Sequence, residues 1–218
     1  MSTAARQLVA VSAGLSQPSS TRLLADRMAD ATRSSLAGQQ PPVEVEVEVI
    51  ELRDLAQDLV NNLLTGFPGP RLGEVVERVM AADAVIAVSP IFNASYSGLF
   101  KLFWDVLERD RLRGMPVLIG ATGGSTRHSL ALEHTLRPLF AYLGADVMPT
   151  AVYAAAEDWG RSDSPADAEL PERIARAADE LARAIVLHDR RVQADPFVDP
   201  VPFEQLLDGA STPRPRVG

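Results

Sequence analysis

The chain has no cysteine, a single lysine (Lys101), and no apolar run long enough to cross a bilayer. Without cysteine, disulfides, thiolate nucleophiles, iron–sulfur clusters and cysteine-ligated zinc are all excluded. The other basic residues are arginines, a bias of coding rather than a sign of phosphate recognition. A formal charge of −8 argues against duplex nucleic acid and against a polybasic membrane contact, both of which need clustered cations. The start, Met1-Ser2-Thr3-Ala4-Ala5-Arg6, has no apolar stretch of secretory length, so a soluble cytoplasmic protein is expected. Histidine is scarce as well. His128 and His134 miss the i, i+4 spacing of a helical metal pair, His188 stands apart, and no bound metal is expected.

Three common motifs are also missing. The first loop carries one glycine where a dinucleotide fingerprint needs three, and no Gly-Lys-Ser/Thr P-loop exists. The hydrolase elbow Gly-x-Ser-x-Gly is absent, since Ser95 stands where its first glycine would precede Ser97.

What is present is alternation of strand and helix. With 218 residues and 46% hydrophobic content, one domain over residues 1–190 is expected, followed by a Pro-rich tail at 191–218. Leu8-Val9-Ala10-Val11 reads as a buried strand, then a helix capped by Thr21 with Leu24, Met28 and Ala31 inward. Residues 43–49 alternate valine with glutamate, the pattern of a strand wet on one face, which belongs at a sheet edge. Residues 54–64 read as a short helix or excursion closed by Gly66-Phe67-Pro68-Gly69-Pro70; a helix over Leu72, Val75, Val76, Val79 and Met80 follows.

A third strand spans residues 84–88, before a helix with Leu99, Leu102, Phe103, Val106 and Leu107 inward. Residues 115–120 form the fourth strand and 127–143 a helix. Residues 146–152 form the fifth strand, with Pro149 marking an exposed edge. A last helix starts at Pro171 with Ile174, Ala178, Leu181 and Ile185 inward. The sum is an α/β three-layer sandwich around a five-stranded parallel sheet of flavodoxin-like order 2-1-3-4-5. On the helix after the third strand, Phe100, Phe103 and Trp104 exceed one core stripe, which predicts packing against another subunit in a homodimer or homotetramer.

Three loops follow three predicted strands. The first, residues 12–21, offers hydroxyls and backbone N–H groups at a helix start, which suits a monophosphate ester. The second, residues 90–98, offers Phe92 and Tyr96 as planar surfaces and Asn93 as an amide. The third, Ala121-Thr122-Gly123-Gly124-Ser125, lets backbone N–H groups approach a ligand closely because two β-carbons are missing. Alone, the first reads equally well as a Ser-rich turn with helix caps, the second as core aromatics next to a cap, and the third as a tight strand–helix turn that needs glycine just as much. Together, outside the carboxyl ends of parallel strands, they point to a bound flavin.

The motifs become specific in combination. Ser-Pro-Ile-Phe-Asn-Ala-Ser-Tyr-Ser-Gly-Leu-Phe-Lys at residues 89–101, Ala-Thr-Gly-Gly-Ser-Thr-Arg-His at 121–128 and Leu-Glu-His-Thr-Leu-Arg-Pro at 132–138 resemble NAD(P)H-dependent FMN reductases. The likeness is greatest to the reductase components of two-component flavin monooxygenases such as the alkanesulfonate system, and covers roughly residues 8–187. It implies a flavodoxin-like fold, FMN used partly as a diffusible substrate, NAD(P)H as reductant, and a flavin-dependent monooxygenase as possible partner. Ser12, Ser19, Ser20 and Thr21 would hold the phosphate. Pro90, Ile91, Phe92 and Asn93 would line the isoalloxazine, with Thr122, Gly123, Gly124 and Ser125 on its other edge. Phe92 stands where the family often has Tyr, so a phenol hydrogen bond is lost there. His134 stands where the sulfonate-system reductase has a Tyr in a π-bulged helix at a subunit interface; it is a candidate for stacking on flavin or bonding across that interface. No acid or base is expected in the hydride step. An FMN-bound quinone or azo reductase, and a flavodoxin-type electron carrier, remain alternatives.

Overall fold

The computed structural model describes residues 5–107, 111–159 and 169–188. The tail expected at residues 191–218 lies outside them. Strand β1 (Arg6–Ser12) leads to helix α1 (Ser20–Ala37), then β2 (Val45–Glu51), α2 (Ala56–Thr65) and α3 (Pro70–Ala81). Next come β3 (Ala84–Phe92), β4 (Ser95–Tyr96), α4 (Gly98–Asp105) and β5 (Pro116–Gly123). A π turn (Leu132–Leu136) runs into α5 (Arg137–Tyr142), and β6 (Asp146–Val147), β7 (Val152–Ala155) and α6 (Glu169–Leu187) close the order.

The central sheet is ordered β2-β1-β3-β5-β6, with every one of these pairs parallel. That is the expected flavodoxin-like order, carried by seven strands rather than five. The two additions have separate causes. β4 is a short antiparallel partner of β3, closed by Asn93 and Ala94 at φ 50° and 67°, a tight reversal that needs two left-handed residues. The fifth lane is broken in two: Val147 pairs with Val117 and Val152 with Gly120, so residues 148–151 bulge out around exposed Pro149. The carbonyls freed by this break are taken up by Arg137, which donates to Met148 O and Pro149 O at 2.9 Å each. Glu180 accepts from the N–H and hydroxyl of Thr150.

Edge strand β2 begins at Val45, two residues later than its alternation suggested, and turns its half-buried valines toward α1 and α6. Its glutamates meet arginines: Glu48 pairs with Arg78, and Glu51 with Arg22 and Arg53. β3 and β5, in the middle of the sheet, are buried almost throughout. One face of the sheet is covered by α1 and α6, through Leu24, Met28, Ile174, Leu181 and Ile185; Ala31 is only half-buried. The other face carries α2 to α5. There Phe100, Phe103 and Trp104 are fully buried: Phe100 and Trp104 meet Phe140 edge-on, with Trp104 and Phe140 centroids 4.8 Å apart, and Phe103 meets Trp104 edge-on. These aromatics are core, so the apolar excess read from the sequence gives no argument for a subunit contact. Leu99, Leu102 and Val106 are the half-buried ones, and the inward stripe of α4 sits one residue further along than expected.

Candidate functional site

Parallel strands end on a common edge, and β1, β3 and β5 are neighbours in the sheet, so their three loops adjoin. Ala13 N–H donates to Val88 O, extending the ladder one step beyond β1. Gly14 then turns the chain beneath Ser19. A Cβ at Gly14 would stand 2.0 Å from Ser19 Oγ, so the close approach requires glycine. Ser19, not Thr21, caps α1: its Oγ accepts from Arg22 N–H at 3.2 Å.

The four residues expected at a phosphate share this loop but differ in placement. Ser12 and Thr21 are buried, Ser19 is half-buried at the cap, and exposed Ser20 opens the helix. Residues 13–20 contain no acid. Glu51, at the end of the neighbouring strand β2, is flanked by Arg22 at 2.9 Å and Arg53 at 2.7 Å. Arg53 also donates to Ser16 O at 2.7 Å, so the first loop is tied to the chain after β2. Arg22 is held protonated first by its bond to Asp26 and then by Glu51, so its charge is already matched.

The second loop is a hairpin, more ordered than the open loop expected. Pro90 and Ile91 lie within β3, Phe92 is 47% exposed beside the reversal, and Asn93 occupies the tip. Ser89 Oγ donates to Pro90 O and accepts from Ser97 N–H, while Ser97 Oγ caps α4. Tyr96 packs on Phe100, centroids 5.8 Å apart, so it belongs to the hairpin's foot rather than its rim.

The third loop meets both others. Pro90 and Thr122 are register partners, and Thr122 Oγ1 lies 2.8 Å from Thr21 Oγ1, both buried. Beyond them Gly124 is exposed with nothing within 4 Å of where its Cβ would stand. Ser125 O accepts from the hydroxyl of Tyr153 at 2.8 Å. Burial, reinforced by the charges of Glu157 and Asp158, raises the pKa of that phenol, so it stays a donor. Sequence reasoning missed Tyr153 by one position, having ended the fifth strand at Val152. It missed Arg53, in the 3-10 turn Leu52–Leu55 after β2, because nothing in that segment's sequence marks it.

The helix expected over residues 127–143 is in pieces: a short 3-10 turn Thr126–His128, the π turn, then α5. In the π turn Arg137 N–H donates to Leu132 O, five residues back. Pro138 gives the reason. It has no N–H for the carbonyl of residue 134 and its ring crowds that carbonyl in a regular helix, which a wider turn relieves. His134 is exposed in this turn, on a groove of about 410 Å³ shared with Tyr96, Lys101, Pro138 and Tyr142. It therefore neighbours the second loop's hairpin rather than the first loop. Among the described residues no group of three His, Asp or Glu side chains is gathered for a metal ion.

This donor set suits a phosphate ester carrying a flat ring: hydroxyls, a helix start, no acid, and open space over Gly124. The sequence profile of the family described as NADPH-dependent FMN reductase matches residues 7–160. The chain belongs to that family. It is 32% identical over 182 residues to the NADH-dependent FMN reductase SfnF of Pseudomonas putida, covering 84% of this chain and 94% of that one. It is 35% identical over 176 residues to an FMN reductase (NADPH) of Pseudomonas aeruginosa, covering 81% and 90%. The solved structure of an oxidoreductase from Corynebacterium diphtheriae matches with a TM-score of 0.81 and 44% identity, over 86% of this chain and all (100%) of that one. FMN and a reduced nicotinamide nucleotide are thus the compounds on which this flavodoxin-like oxidoreductase works.

Proposed function

We propose that the chain is a reductase that passes a hydride from NAD(P)H to FMN at the edge formed by residues 12–21, 90–93 and 122–125, and releases reduced FMN to a flavin-dependent monooxygenase. The observation that carries this reading is the joining of the first and third loops through Thr21 and Thr122, beside a helix start free of acid. Bound together there, the nicotinamide would supply the hydride and the flavin would accept it. The chain's own part is positioning. Ser19, Ser20 and the first turn of α1 hold the phosphate, over a base built by Ser12 and Thr21. Pro90, Ile91, Phe92 and Asn93 bound one side of the ring, and Thr122, Gly123, Gly124 and Ser125 the other. Backbone N–H groups of residues 122–125 would serve as donors to the ring, which would favour its reduced, anionic form. No His, Cys, Asp or Glu occurs in these segments, in keeping with a step that needs no side-chain acid or base.

Release of reduced flavin is supported by the exposure of Phe92 and Gly124 at the mouth and by the likeness to two-component reductases. A homo-oligomer belongs to this reading, with His134 at a subunit contact or over the flavin, because the π turn places it in a groove edged by exposed Tyr142. So does a cytoplasmic location, where the nucleotide is supplied; among the described residues no helix is long and apolar enough to cross a membrane.

The test follows NADH and NADPH oxidation with free FMN, with menadione, and without acceptor. Turnover with FMN that exceeds turnover with menadione is expected. Faster quinone turnover would make the chain a quinone reductase, and FMN that stays on the protein through dilution would rule out release. No oxidation in any mixture would end the proposal.

A further inference from the structure

We propose that Tyr153 is a positioning residue for flavin binding, which through Ser125 fixes the shape of the third loop. The inference rests on the FMN reading above and deepens it. Tyr153 lies on β7, where register sets it beside Ala121 and sets Gly123 beside Ala155. Its ring belongs to the core on the α4 and α5 side of the sheet and is 7% exposed. From there the phenol reaches past the end of β5. The hydroxyl stands where a side chain on Gly123 would begin, 2.0 Å from its ideal Cβ, and donates to Ser125 O at 2.8 Å.

Gly123 is therefore a glycine for a stated reason. The space its side chain would take is occupied by the group that ties the loop down. The support behind the phenol is also fixed. Arg173 on α6 donates to Tyr153 O at 3.3 Å and pairs with Asp158, whose other oxygen accepts from Ala155 N–H at 2.7 Å. Thr122 is anchored on the near side by Thr21, and Ser125 on the far side by Tyr153. Gly124, between them, is left exposed with no contact on its outer side. A loop pinned at both ends and open in the middle presents its backbone with little ordering left to do on binding. Without the phenol hydroxyl one pin is gone, and Ser125 O loses its side-chain partner.

The experiment is titration of the full chain with FMN and with riboflavin, read by quenching of flavin fluorescence, for the wild type and Tyr153→Phe. Phenylalanine keeps the ring and its packing. The dissociation constant for FMN is expected to rise about tenfold, as for one lost hydrogen bond in a site. The constant for riboflavin, which lacks the phosphate, should rise by the same factor, because the first loop is untouched. At saturating FMN kcat should stay within about twofold, placing the loss in binding. Gly123→Ala removes the same bond by displacing the hydroxyl, so the double variant should be little worse than Gly123→Ala alone. Unchanged FMN binding in Tyr153→Phe, a loss confined to FMN, or additive losses in the double variant would each overturn the proposal. If the wild type binds FMN and Tyr153→Phe binds it equally, this inference fails while the reductase reading stands. A wild type that binds no FMN would end both.

Discussion

Thr21 and Thr122, 101 residues apart in sequence, bring their hydroxyl oxygens to 2.8 Å in a buried contact under the edge where β1 and β5 end. β3 lies between those two strands in the sheet, so the bond spans it at the top. It joins the start of α1, the phosphate end of the proposed site, to the loop at its ring end. The spacing of the two binding elements is thus set by one pair of side chains as well as by the sheet.

Replacing either partner alone with valine should cost stability and flavin affinity together. The surviving hydroxyl is left buried without its bond, a penalty of about 1–3 kcal/mol. Thr21→Val with Thr122→Val keeps the shapes and removes both polar groups, so the double variant should recover most of that stability. Urea unfolding of the four proteins measures the coupling. Additive losses would mean that the contact carries no interaction of its own.

The legible parts of the fold were those where one side of an element is buried and the other is wet. The Val-Glu alternation of residues 43–49 locates the edge strand, which begins at Val45, and the spacing of Ile174, Ala178, Leu181 and Ile185 locates the inward face of α6. Legibility failed where both sides are buried. Phe103 and Trp104 are adjacent, so one looked like surplus surface, but Phe140 from another element encloses the second ring. The broken fifth lane reads as one strand in the sequence because a bulge leaves no periodic mark. The three loops were readable as loops since Gly, Ser, Pro and Asn gather there. Their mutual ties, Thr21 to Thr122 and Tyr153 to Ser125, were not, because each joins residues that only the topology brings together.

The π turn should make acid stability depend on Glu133. Arg137 bonds both of its carboxylate oxygens and holds that carboxyl below its ordinary 4.5, the hydrogen bond being the first cause. A lowered value in the folded chain means that the unfolded state takes up the proton first as pH falls. The stabilisation is complete above 4.5 and drains away as pH drops through the lower, folded value. Both side chains meet solvent, so the contribution is about half a kcal/mol. The melting temperature of Glu133→Gln should lie about 1–2 °C below the wild type at neutral pH, and the gap should close in acid. A gap that persists there would assign the effect to something other than the carboxylate charge.

Asp83 offers a contrast at the opposite edge of the sheet. Its carboxylate, side chain 2% exposed, accepts from Arg6 at 2.9 Å and from Gln7 N–H at 2.7 Å, joining the starts of β1 and β3. Asp83→Ala strips the Gln7 N–H of its acceptor, while Arg6 can still reach water. A loss of about 2 kcal/mol is expected by denaturant unfolding. FMN affinity should be unchanged, because the binding loops lie at the other ends of these strands. Loss of flavin binding in a folded Asp83→Ala would show that the two edges are coupled.

Arg127 is expected to bias the choice between NADPH and NADH. The candidate edge gathers three arginines near its loops, and two are already matched. Arg22 is bonded to Asp26 and Glu51, and Arg53 to Glu51 and Ser16 O. Arg127, exposed in the turn Thr126–His128 two positions after Ser125, has no acidic partner among the described residues. A 2′-phosphate is the one group that distinguishes the two nucleotides, and an arginine without a carboxylate of its own is suited to meet it. Arg127→Gln should lower kcat/KM for NADPH by about tenfold while changing that for NADH by less than about twofold. The same substitution at Arg22 should reduce both alike, since it would disturb Glu51 and the first loop. Equal losses for the two nucleotides in Arg127→Gln would place Arg127 at a part of the dinucleotide that both share.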